Sequence, residues 1–207
     1  MLIMTNFKIL DCTLRDGGYY TNWEFDSKLV KQLVKTLDGK IDIIELGYKS
    51  PVKGGPYRKC NDGFIKSILD FKYEIDLAFM IDVKDFINKK RININLIKDV
   101  IKPKTQSPFS ICRIAAKEDE IQYLPELISI IKELGYTVFC NLMAITKASK
   151  HNIEKFCKTL QNNKIKGTYI ADSYGALTPK EVENLLKNYP INGIHTHDNL
   201  GLALQIV

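Results

Sequence analysis

Apolar runs of strand type return along this chain at nearly even intervals, and that recurrence limits the fold more than any single residue does. The runs begin near residues 8, 41, 75, 109, 137, 168 and 191, which are 23 to 34 residues apart. Between them the apolar residues fall at helical spacing. Residues 8–13 read as a strand that breaks into the polar, glycine-containing turn 14–18. Leu29, Val30, Leu33, Val34 and Leu37 then mark one face of a helix, opened by Asp26 and Ser27 and closed at Gly39. The alternation repeats. Strand 41–46 ends at Glu45 and Gly47 and is followed by a loop at 54–56 and a short helix over 62–69. Strand 75–80 precedes a helical stretch at 96–101, and strand 109–114 carries Arg113 close to its end. A helix over 120–134, strand 137–142, a helix capped by Ser149, and strand 168–172 follow. Thr178-Pro179-Lys180-Glu181 forms a capping box with proline at the first helical position. Strand 191–197 is the seventh. Strands alternating with helices build a parallel sheet.

Two architectures use such a sheet. A doubly wound sheet carries a G-x-G-x-x-G turn after its first strand, and Arg15-Asp16-Gly17-Gly18 lacks it. The barrel fits better, because polar residues stand at the C-terminal ends of most strands: Arg15, Asp16, Glu45, Arg113, Asn141, Asp172, His195 and His197. A complete barrel takes about 250 residues. The expected fold is therefore a single α/β domain over residues 1–207, a TIM (β/α)8 barrel truncated after its seventh strand and lacking its eighth unit.

Composition excludes several function classes. No apolar run approaches the roughly 20 residues needed to span a bilayer. The net charge of +6 comes from lysines spread through helical segments rather than a basic stripe, which speaks against nucleic acid. Five scattered cysteines without a C-x-x-C pair argue against a disulfide framework or a zinc knuckle. The first residues lack a secretory leader, so a cytoplasmic location is expected.

Two of the three histidines, His195 and His197, stand two apart. On a strand such residues share a face, roughly 7 Å apart along the chain, and aim two imidazoles at one point. The alternative is one hydrogen-bonded core histidine beside an exposed one. Strands one and seven neighbour each other around a closing barrel, which makes Asp16 the natural third ligand. Two imidazoles and one carboxylate suit a catalytic divalent cation and admit Mn²⁺, Mg²⁺, Zn²⁺, Fe²⁺ or Co²⁺. Arg15 reads either as a fixed cation for an oxyanion or a substrate carboxylate, or as an ion pair to Asp11 or Glu45.

Four separated motifs carry a family resemblance. They are I-L-D-C-T-L-R-D-G-G at 9–18, I-I-E-L-G at 43–47, A-D-S-Y-G-A-L-T-P at 171–179 and G-I-H-T-H-D-N-L-G-L-A at 193–203. Together they resemble the DRE-TIM metallolyases, the superfamily of 3-hydroxy-3-methylglutaryl-CoA lyase, 4-hydroxy-2-oxovalerate aldolase and isopropylmalate synthase. The motifs are nearest to the aldolase-like members. The resemblance implies Asp16, His195 and His197 as metal ligands, with Mn²⁺ or Mg²⁺ favoured and Zn²⁺ or Co²⁺ admitted. Arg15 would steady an enolate and Glu45 would complete the Asp-Arg-Glu set. Asp172 and Ser173 would touch substrate or orient a ligand, Arg113 would join them in substrate binding, and Asn199 would support the metal site from behind. Asp11 is expected to be structural.

The implied activity is a metal-dependent aldolase or lyase acting on a small 2-oxo acid of the 4-hydroxy-2-oxo type. Two alternatives stand beside it: an acyl-CoA-dependent Claisen condensing enzyme, and a catalytically silent barrel fragment that binds metal or a partner. In the hydroxy-oxovalerate aldolases a histidine follows R-D-G after one residue, whereas Tyr19 stands there in this chain. With His151 far from the motif, the base is expected to be Tyr19, Tyr20 or a metal-bound water. A homo-oligomer and a downstream aldehyde-consuming enzyme are the partners such aldolases admit; neither nucleic acid nor a membrane is expected.

Overall fold

The computed structural model describes residues 8–206. Its strands are β1 (Leu10–Asp11), β2 (Ile43–Tyr48), β3 (Asp76–Asp82), β4 (Ile87–Asn88), β5 (Arg91–Ile92), β6 (Ile111–Ala116), β7 (Thr137–Leu142), β8 (Gly167–Asp172) and β9 (Gly193–Thr196). The helices are α1 (Thr13–Thr21), α2 (Ser27–Leu37), α3 (Pro56–Lys59), α4 (Asp62–Ile68), α5 (Ile94–Val100), α6 (Leu124–Glu133), α7 (Lys150–Asn162), α8 (Pro179–Asn188) and α9 (Ala203–Ile206). Seven strands make one sheet in the order β1-β2-β3-β6-β7-β8-β9, and β4 and β5 make a separate antiparallel hairpin. A doubly wound sheet reverses its strand order at a switch point. Here the order never reverses, which is the winding of a (β/α)8 barrel over its first seven strands.

The chain divides into two compact units. One comprises residues 8–81 with Asn95–Cys112 and Leu134–Tyr136, and the other Asp82–Ile94, Arg113–Glu133 and residues 137–206.

In the first unit β1 pairs in parallel with β2, and β2 with β3. All six β2 residues are buried, as expected of a strand covered on both faces. The turn expected at 14–18 is instead the first half of α1. Asp11 precedes its N-cap Cys12 and accepts hydrogen bonds from the Thr13 backbone N–H at 3.1 Å and from Thr13 Oγ1 at 2.8 Å. Gly18 inside that helix is a packing residue, because a Cβ there would lie 2.1 Å from the Trp23 ring. Helix α2 begins at the expected cap, with Asp26 Oδ1 accepting from the Lys28 N–H at 2.7 Å, and Gly39 beyond its end takes a φ of +73°.

In the second unit β7, β8 and β9 pair in parallel. Asn141 sits opposite Tyr169, Tyr169 opposite Gly193, and Ala171 opposite His195. Because alternate residues share a face, Asn141, Tyr169, Gly193 and His195 lie on one side of this three-stranded segment. Glycine is required at 167 and 193, since a Cβ at either would lie 2.3 Å from the ring of Phe139 or Tyr169 respectively. Helix α8 carries the anticipated capping box, Thr178 and Glu181 each bonding the other's backbone N–H, with Pro179 in its first turn. Strand 191–197 proves shorter than its apolar pattern suggested, so His195 lies within β9 and His197 just beyond it.

Candidate active site

In the first unit Arg15 is the hub. Its Nε donates to Glu45 Oε1 at 2.7 Å, and its Nη1 donates to Asp16 Oδ1. Arg15 is 5% exposed and Glu45 fully buried. The ion-pair alternative to Glu45 is thus realised, yet one arm of the guanidinium is left over. Nη2 is buried with no hydrogen-bond partner among the described residues. Burial by itself pulls the Arg15 pKa down, but Glu45, Tyr48, Asp16 and Cys12 together push it up, so the cation is permanent. Trp23 Nε1 donates to the Arg15 carbonyl at 3.0 Å and fixes the helix turn that carries it.

Asp16 also accepts from Cys12 Sγ at 3.3 Å. On α1 Arg15 and Asp16 stand four and three residues before Tyr19, spacings that bring the three side chains to one side of the helix. Tyr19 is 60% exposed, and its hydroxyl lies 2.7 Å from that of Tyr48. Tyr48, at the end of β2, and Cys12 were not singled out from the sequence. A tyrosine closing an apolar run reads as core, and a lone thiol carries no spacing signal.

In the second unit the two imidazoles converge as the H-x-H spacing implied. Their Nε2 atoms are 3.1 Å apart and the rings stand at 82°. Without a cation, one ring donates to the other. With metal–nitrogen bonds of about 2.1 Å, a 3.1 Å separation corresponds to an N–metal–N angle of about 95°. The pair therefore fits two adjacent positions around one divalent ion. Arg113 lies in the middle of β6, rather than at its end, and is 1% exposed, with its guanidinium carbon 5.1 Å from the Tyr169 ring centre. Asn141, whose Oδ1 is buried with no partner among the described residues, belongs to the same face as Tyr169.

Asp172 is committed to the chain itself. Its carboxylate accepts from the Ala176 N–H at 3.0 Å and the Leu177 N–H at 2.8 Å, shaping the loop into α8. Ser173 Oγ accepts from the Ala144 N–H at 2.9 Å. Asn199 packs beside Gly175, whose φ of +57° and tight surroundings suit only glycine: a Cβ there would meet Asn199 and the His197 carbonyl at 2.8 Å. Asn199 and the backbone of His197 are in this way held by one loop residue.

A singly wound barrel that carries Arg15 and Asp16 after its first strand, Glu45 inside its second and paired histidines at its seventh is of metallolyase type in pattern. A family model described as HMGL-like matches residues 6–205, and the chain belongs to that family, bearing out the DRE-TIM resemblance. It is 24% identical over 216 residues to the 4-hydroxy-2-oxovalerate aldolase of Pelotomaculum thermopropionicum, an alignment covering 99% of this chain and 60% of that protein. It is 26% identical to the "Probable 2-isopropylmalate synthase" of Archaeoglobus fulgidus, covering 98% of this chain and 40% of that one. Among solved structures, the N-terminal domain of a "putative aldolase" from Bacteroides vulgatus matches with a TM-score of 0.84 and 31% identity, over 97% of this chain and 67% of that one. The chain thus spans about 60% of the length of the curated aldolase it matches. No helix among the described residues is long and apolar enough to cross a membrane.

Proposed function

We propose that the chain is a divalent-metal-dependent aldolase that cleaves or forms the C3–C4 bond of a small 4-hydroxy-2-oxo acid. The observation that carries this reading is Arg15, a buried cation pinned by Glu45 whose Nη2 has no partner among the described residues. A buried donor of that kind is costly unless something charged uses it. An enolate oxygen is such a group. In this reading Asp16, His195 and His197 hold the metal, Mn²⁺ or Mg²⁺ before Zn²⁺ or Co²⁺. When bound, the cation polarises the 2-oxo group and shares the enolate charge.

The chain's own groups then divide the work. Arg15 donates to the oxyanion, and Glu45 keeps the guanidinium oriented. Tyr19 takes the 4-hydroxyl proton as the C3–C4 electron pair moves into the enolate, leaving an aldehyde. The same hydroxyl returns the proton to C3 and restores the starting state. Arg113 receives the substrate carboxylate, Asp172 and Ser173 shape the loop beside it, and Asn199 supports His197 from behind. The aldehyde it releases is the substrate of a downstream aldehyde-consuming enzyme, and the chain itself assembles as a homo-oligomer.

The test is pyruvate release from 4-hydroxy-2-oxovalerate with Mn²⁺ present. Arg15→Lys should keep the metal and lose about 10²–10³ in rate, the usual cost of one oxyanion donor. Equal rates in the two proteins would remove Arg15 from the chemistry. Free thiol released from acetyl-CoA and a 2-oxo acid, with no pyruvate release, would place the chain with the condensing enzymes instead.

A further inference from the structure

A phenol is a poor base near neutrality, which sets the demand on Tyr19. Its surroundings within the first unit address that deficit. The Tyr48 hydroxyl, 2.7 Å from that of Tyr19, belongs to a side chain only 1% exposed. The Tyr48 ring is sandwiched. Trp23 meets it edge-on at 5.6 Å, and the Arg58 guanidinium carbon lies 4.2 Å from its centre and 4.6 Å from that of Trp23. Tyr19 closes the group, its ring 4.9 Å from Trp23 and 6.5 Å from Tyr48.

The cluster is built into the backbone. A Cβ on Gly54 would collide with the Arg58 stem at 2.7 Å, one on Gly55 with the Trp23 carbonyl oxygen at 2.4 Å, and one on Gly18 with the Trp23 ring at 2.1 Å. The Gly54-Gly55-Pro56 stretch, which reads as a plain turn, is where α3 approaches closely enough to stack Arg58. Arg58 is itself buried, 7% exposed. The charged groups shown to act on Tyr48 are Arg15 on α1 and Arg58 on α3. Arg15 is paired with Glu45 and Asp16, and Arg58 lies over the phenol ring of Tyr48.

We propose that Tyr48, held against Trp23 by Arg58, is the positioning residue that makes Tyr19 a working acid–base group. The two hydroxyls share one proton in the active state, Tyr19 carrying the oxyanion and Tyr48 donating to it. The substrate hydroxyl's proton then moves to Tyr19 Oη as the C–C bond breaks, and it returns to the enolate carbon from the same atom, so no proton is gained or lost over the cycle. This inference rests on the aldolase reading for its reaction, but not for its titration.

The tyrosinate absorbance of the full chain, followed against pH, tests it. One of the ten tyrosines should ionise about one pH unit or more below the others. Tyr19→Phe and Tyr48→Phe should each erase that step, and Arg58→Gln should move it upward. In parallel, exchange of the methyl protons of pyruvate for deuterium with Mn²⁺ present should show its rising limb moved up by a similar amount in Tyr48→Phe, with the pyruvate KM little changed. An early step that is missing from the wild-type chain, or that survives in Tyr48→Phe, overturns the proposal. So does an exchange profile identical in wild type and Tyr48→Phe. No exchange in the wild type at any pH would instead count against the aldolase reading, and the titration would still decide the role of Tyr48.

Discussion

The two units place charge at strand ends by opposite means. In the first, the buried cations are paired with carboxylates: Arg15 with Glu45 and Asp16, and Lys49 with Asp62 at 2.7 Å with Ser107 donating to the same carboxylate. The second holds its histidine pair at half-buried positions, with the two Nε2 atoms 3.1 Å apart. A side chain wired into the core cannot be altered without cost to the fold. A half-buried side chain at or just beyond a strand end, such as His197, can be removed while the sheet beneath it stands. The first unit thus holds a preset electrostatic framework, and the second a histidine pair less tied to its core.

The largest expected effect breaks the framework. Glu45→Ala strands the Arg15 cation in a buried position, and removing one partner of a buried pair costs about 3–5 kcal/mol. Urea unfolding should show a large fall in midpoint; a loss under about 1 kcal/mol would mean that the pair is not structural. A glycine comparison sharpens the same point. Gly18→Ala drives a methyl into the Trp23 ring and should cost about 1–3 kcal/mol. Gly17→Ala, whose Cβ would sit 3.7 Å from Phe25, should gain about 0.5–1 kcal/mol from helix propensity. If the two substitutions behave alike in thermal melts, the Trp23 contact is not what fixes α1.

In the second unit single substitutions should act locally. Thr178→Ala removes the α8 cap and should cost about 1 kcal/mol. Glu181 accepts from the Thr178 N–H and Oγ1, and these bonds hold its carboxyl below the usual range. Because the folded pKa is depressed, the box stabilises fully above the ordinary glutamate pKa and loses its contribution as pH falls through the lower folded value. The stability difference between wild type and Thr178→Ala should accordingly shrink in acid. The smallest fold effect belongs to His197→Ala, which should leave metal-free stability within about 0.5 kcal/mol.

Strand–helix rhythm was legible because period-2 and period-3.6 patterns are set by burial. Residues 137–142 matched β7 at both ends, and the caps at Asp26, Ser149 and Thr178 formed as read. The H-x-H convergence followed from strand alternation alone. What was misread had long-range causes. Gly17-Gly18 looks like a breaker, but its place inside α1 depends on Trp23 needing the space. The β4–β5 hairpin turns through Lys89 and Lys90, both at positive φ, where no glycine or asparagine announces it. The Tyr19–Tyr48 bond joins residues 29 apart and leaves no local trace.

The central claim is that Asp16 and the histidine pair serve one metal. Calorimetric titration of Mn²⁺ into the wild-type chain, Asp16→Asn and His197→Ala tests it most directly. The account predicts one ion per wild-type chain, tightened by oxalate as a mimic of pyruvate enolate, with either substitution weakening Mn²⁺ at least tenfold while metal-free His197→Ala melts close to wild type. Equal stoichiometry and affinity in wild type and Asp16→Asn would contradict it, and the metal would have to be sought on other residues.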